Sequence, residues 1–97
     1  MLLDWFNAKE ASHFGTSLAE FISVKMPPSS SPQSLPPEKQ KALLIKVFGQ
    51  VEQFRKTHKL NIYKKAKLGN AFKWKMLDIG YEKGWTDELT HELMARL

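Results

Sequence analysis

A chain of 97 residues with 42% apolar and 11% aromatic content suits one small folded domain, because a chain of this size buries roughly two-thirds of its unfolded surface. The absence of cysteine excludes disulfides, thiolate-ligated zinc and thiol nucleophiles. The net charge of +5 is concentrated in one stretch: residues 53–77 hold eight bases and no acid, whereas residues 78–97 hold two bases and five acids.

The apolar leader Leu2, Leu3, Trp5 and Phe6 opens the chain. Met1 to Asp4 carries no basic run, so no signal peptide is expected. Asn7 followed by Glu10 has capping-box spacing. From Ala8 to Lys25 the period is helical: Ala8, Ala11, Phe14, Leu18, Phe21 and Ile22 share one face, and Gly15 and Ala19 beside it would let a partner helix come close. The opposite face is mostly Ser, Thr and His rather than Lys and Arg, which argues against a membrane-surface helix. Trp5, Phe6, Phe14 and Phe21 are the candidate anchors of a protein interface, or the seal of a bundle. Pro27-Pro28 ends this helix, and residues 27–37, PPSSSPQSLPP, read as an extended linker holding all five prolines.

A second helix is expected over Glu38–His58, with Leu44, Val47, Phe48, Val51 and Phe54 on its apolar face, Leu43 at the edge and Gly49 off it. His58 continues that stripe as a packing or capping residue. Asn61 is positioned to cap a third helix over Ile62–Ile79, with Ile62, Ala66, Phe72, Met76 and Ile79 inward and Lys64, Lys67, Lys75 and Asp78 outward. Gly69-Asn70 could interrupt it, though one continuous helix is the preferred reading. Gly80 suits a helix terminus, and Thr86 could cap a last helix bearing Leu89, Leu93 and Leu97.

These elements give an all-α domain of four helices in a small bundle. Residues 1–26 form an amphipathic helix, residues 27–37 the linker and residues 38–97 a three-helix core. No window approaches the ~18 apolar residues of a membrane span.

No catalytic or metal constellation is evident. His13, His58 and His91 fall on three different helices without zinc spacing, and Gly69, Gly80 and Gly84 are too isolated for a phosphate cradle. Neither cofactor nor small-molecule substrate is indicated. The candidate binding residues are Tyr63, Lys64, Lys65, Lys67, Lys73, Trp74 and Lys75 of the basic stretch. Such a surface can take a protein partner or a second copy, or phosphates with little sequence preference. Residues 53–77 have seven lysines to one arginine, which disfavours the forked contacts that read bases. A helix-turn-helix docking through the last helix is rejected, because Asp87, Glu88 and Glu92 would meet phosphates.

The run LNIYKKAKLGNAFKW with the tail DELTHELMARL resembles a family of small uncharacterised bacterial proteins. The resemblance implies a bacterial, cytoplasmic setting and brings no activity, cofactor or catalytic residue.

Overall fold

The computed structural model describes residues 6–28 and 36–97. Among them run four helices, α1 (Lys9–Lys25), α2 (Pro37–Thr57), α3 (Ile62–Ile79) and α4 (Lys83–Ala95), and no strand. The expected all-α bundle is thus observed. Trp5 and most of the expected linker lie outside the described residues.

The small residues of α1 determine how the helices assemble. Ala11, Gly15, Leu18, Ala19 and Ile22 are buried. At Gly15 the backbone of α3 comes so close that a Cβ there would lie 2.4 Å from the Leu68 carbonyl oxygen and 3.0 Å from the Phe72 nitrogen. Only a residue without a side chain permits that approach, and Phe72, Leu68 and Met76 then fill the core beside it, each fully buried. The ring of Phe6 meets Tyr63 near the start of α3, and the Tyr81 hydroxyl beyond its end donates to the Met26 carbonyl. α1 therefore runs parallel to α3. α4 is antiparallel to α3, since Gly69 faces Met94 and Lys73 faces Asp87. α2 packs antiparallel on α1 through the stacked rings of Phe14 and Phe54.

This arrangement ties the first helix into the core of the single domain. The tightest packing is α1 on α3, followed by α4 on α3 and α1 on α2; α2 and α3 are not among the closely packed pairs. The first helix is not an attachment to a core of residues 38–97. Its Ala11, Leu18, Ala19, Ile22 and Met26 belong to the same cluster as Leu43, Val47, Val51, Leu68, Phe72, Met76, Leu89 and Leu93. α1 covers the Leu68 and Phe72 side of α3, on which α2 does not pack closely.

Smaller corrections concern faces and caps. α3 is unbroken through Gly69-Asn70, and its buried residues are Leu68, Gly69, Phe72 and Met76. Ile62, expected inward, is 79% exposed, and Ala66 is also exposed. On α2 the buried row is Leu43, Val47 and Val51, so Leu43 lies at the centre of the face rather than its edge. Asn61 caps α3 as expected, accepting from the Lys64 amide at 2.8 Å. Gly80 closes α3 with φ 119°, and the amides of Gly80 and Tyr81 donate to the carbonyls of Leu77 and Met76.

Two expected caps are replaced. The Glu10 carboxylate bonds His58 of α2 rather than closing a capping box with Asn7. α4 begins a turn before Thr86, where the Glu82 carboxylate accepts from the amides of Gly84 at 3.0 Å and Trp85 at 2.9 Å. Thr86 is instead buried inside α4, with no hydrogen-bond partner for its Oγ1 among the described residues. An unpartnered buried hydroxyl is unfavourable, and valine has the same shape and a similar helix propensity. Thr86→Val is therefore expected to stabilise the fold by about 1 kcal/mol, read as a rise in the urea midpoint with unchanged slope.

Candidate interaction surface

α3 is the element on which the candidate binding residues sit, and the direction of each follows from the helical repeat. Phe72 marks the inward side. Tyr63, Lys67, Asn70 and Trp74 recur at spacings of four, three and four residues on the opposite, outer side. Trp74 is 65% exposed. Tyr63 is half-buried, with the Phe6 ring edge-on at 5.3 Å and the Lys67 ammonium 5.5 Å from its ring centre. Lys64 and Lys75 lie on the flank toward α1. Lys73 lies on the flank toward α4, and its Nζ is 3.2 Å from Asp87 Oδ1. Lys65 precedes Phe72 by about two turns and shares its inward side, half-buried.

The candidates thus split. Tyr63, Lys67 and Trp74 form one outer stripe, bordered by Lys64 and Lys75. Lys65 and Lys73 are turned away from it. Lysines surround α3 rather than lining a single face. The positive potential nevertheless survives. Arg55 and Lys56 share Glu52, and Lys73 pairs with Asp87, but among the described residues Lys59, Lys64, Lys65, Lys67 and Lys75 form no ion pair. The stems of such lysines pack along apolar surface while the ammonium stays in water.

The α1 candidates have a different fate. Phe14 stacks on Phe54 at 4.3 Å, and Phe21 packs half-buried against the core. Phe6 is 51% exposed and abuts Tyr63. The apolar side of α1 is consumed within the chain.

Asp87 is the electrostatic joint between α3 and α4. The Lys83 ammonium, bonded at 2.9 Å, and then that of Lys73 hold its carboxyl below the ordinary 3.8. The Asp87 hydrogen bond in turn raises Lys83 above 10.5. A depressed carboxylate contributes stability above its unfolded value, and that contribution is lost as pH falls through the folded value. A raised lysine contributes below its unfolded value and loses the contribution as pH rises through the folded one. Asp87→Asn is therefore expected to flatten both limbs of a stability profile, the acid limb below about pH 4 and the alkaline limb above about pH 10, as followed by thermal unfolding across pH.

Sequence reasoning did not anticipate the contact that joins α1 to the end of α2. His58 Nε2 lies 3.0 Å from Glu10 Oε2, while Nδ1 lies 2.9 Å from Thr57 Oγ1 and 3.2 Å from the Phe54 carbonyl. A hydroxyl, an imidazole and a carboxylate in a row resemble a nucleophilic triad only superficially. The Thr57 hydroxyl is directed to the Gln53 and Phe54 carbonyls, at 3.0 and 3.3 Å, so it closes the helix end. His58 also stacks on Phe54 at 4.0 Å, which fits the expected capping and packing role. His13 and His91 are exposed, as expected. Among the described residues no group of three His, Asp or Glu side chains could hold a metal, and no helix is long and apolar enough to cross a membrane.

No family model, curated protein or solved structure matches this chain.

Proposed function

We propose that the chain is a non-catalytic interaction module of the bacterial cytoplasm, and that the outer side of α3 docks an acidic protein surface. The observation that carries this reading is Trp74, 65% exposed on that side and bordered by lysines that form no ion pair among the described residues. Tryptophan is among the residue types most enriched at the energetic centre of interfaces, and complementary charge steers association. α4 supplies carboxylates of the required sign, with Glu88 and Glu92 exposed, so a second copy is the first partner to test. Sedimentation over a range of concentrations is expected to show association that weakens with salt; a monomer throughout would remove the self-association form.

A second reading, low-specificity nucleic-acid binding, is favoured by Lys64, Lys67 and Lys75, which form no ion pair among the described residues, alongside Tyr63 and Trp74. Phosphate neutralisation gives salt-sensitive affinity, and exposed aromatic rings can stack bases. Titration with mixed-sequence DNA and RNA tests it, and no binding at low salt would end it. Replacing Lys64, Lys67 and Lys75 together with Glu is expected to abolish the binding. Neutral replacements at the same positions should lower the slope of log affinity against log salt by about 0.9 for each phosphate no longer neutralised. The helical signal should persist in both variants, because none of the three forms an ion pair among the described residues.

A further inference from the structure

A half-open hollow lies between the first turn of α1 and the corner that joins α2 to α3, sharing only Lys64 with the border of the Trp74 stripe. We propose that it binds a small planar aromatic ring bearing an anionic group, such as a nucleoside monophosphate. Its main chamber is about 430 Å³. Through Lys9, Glu10, Phe54 and His58 it continues into a second hollow of about 660 Å³ that reaches His13 and Phe14. Both volumes lie within the usual range for small-molecule sites, roughly 300–1,000 Å³.

The wall chemistry selects the ligand class. Phe14, Phe54 and His58 form one continuous stack: the first pair is 4.3 Å apart and 13° from parallel, the second 4.0 Å and 15°. A stack that ends in a partly exposed imidazole offers its last face to another flat ring. Three lysines line the same hollow, from three separate elements: Lys9 of α1, Lys59 of the corner and Lys64 of α3. None forms an ion pair among the described residues. A single carboxylate, Glu10, 3.0 Å from His58 Nε2, stands among these three lysines, so the rim retains a positive excess for a phosphate or carboxylate. The ring determines where the ligand stacks, and the ammonium groups determine that it carries negative charge.

The test uses the full chain, with the side-chain resonances of His58 and the amides of Lys59 and Lys64 followed by NMR. Adenosine monophosphate is the probe, salicylate the second aromatic anion, and adenosine and ribose 5-phosphate supply each half alone. The expected result is saturable shifts at His58, Lys59 and Lys64 with at least one aromatic anion, and binding weaker by about tenfold or more for either half. Lys59→Ala, at an exposed residue with no ion pair among the described residues, should weaken the aromatic anion about tenfold with the fold intact. Trp74→Ala should leave it unchanged, which separates this site from the docking surface. No shift with either aromatic anion, equal binding of ribose 5-phosphate, or shifts spread along Lys67, Trp74 and Lys75 would overturn the proposal.

Discussion

Gly15→Ala is expected to destabilise the fold by about 1–3 kcal/mol, the usual effect of forcing atoms into a packed contact. The added methyl would meet the Leu68 carbonyl oxygen at 2.4 Å, the Phe72 nitrogen at 3.0 Å and Ala71 Cβ at 3.2 Å. Two of these are backbone atoms of α3, so the clash can be relieved only by moving one helix off the other. That movement would loosen the seat of Phe72, the largest fully buried side chain. For a domain of this size each kcal/mol lowers the thermal midpoint by roughly 4–8 °C, so differential scanning calorimetry resolves the effect easily. Two other glycines provide the controls. At Gly69 the obstacle is the flexible Met94 thioether, which can turn aside, and Gly69→Ala should be milder. At Gly49 nothing lies within 4 Å. Gly49→Ala should therefore stabilise α2 by about 0.5–1 kcal/mol, because alanine loses less backbone entropy on entering a helix. Opposite signs for Gly15→Ala and Gly49→Ala are the signature of the α1–α3 contact.

Removing α1 is expected to have the largest effect of all: a chain of residues 36–97 should not fold cooperatively. α1 contributes Leu18 and Ile22, and the residue just past its end Met26, to the core, each at most 2% exposed. Burying side chains of this kind is worth about 1.5–3 kcal/mol apiece, and their loss also uncovers Leu68, Phe72 and Met76 on α3. Total stabilities of natural domains are only about 5–15 kcal/mol. The shortened chain should show weak helical signal, a broad non-cooperative melt and binding of hydrophobic dye. Adding a peptide of residues 6–28 should restore part of the helical signal. A sharp transition near that of the full chain would contradict the placement of α1 at the centre of the bundle.

Most of the helical architecture was legible in the sequence because the apolar period is strong. The helices over Ile62–Ile79 and Lys9–Lys25 follow from their periodicity, from Asn61 as a cap and from Gly80 as a left-handed terminus. Gly15 and Ala19 announced a close helix approach. The sequence could not reveal which helix would approach, because periodicity describes faces and not neighbours. Short connections pointed to α2, α3 and α4 as a unit, yet α1 packs on α3 across a long segment. Ile62 was misplaced because a terminal residue can satisfy the period and still extend past its neighbours. The cap of α4 was misplaced because Glu82, a residue type less often found at that position, outcompetes Thr86.

The candidate surface was legible in composition but not in direction. Residues 53–77 hold their eight bases in any conformation. Only the coordinates separate Lys67 and Trp74 on the outer side from Lys65 turned inward and Lys73 committed to Asp87. The contact between Glu10 and His58 had no sequence signal, since its two halves lie on different helices and neither belongs to a spaced motif.

The docking role of α3 is tested most directly by photo-crosslinking in cells of the source organism. A photoreactive residue is placed at position 74 and, in a control chain, at the similarly exposed Ile45 of α2. The account predicts discrete macromolecular adducts from position 74 that are absent from position 45 and disappear when Lys64, Lys67 and Lys75 are replaced with Glu. No adduct from position 74, or the same adducts from both positions, would contradict it.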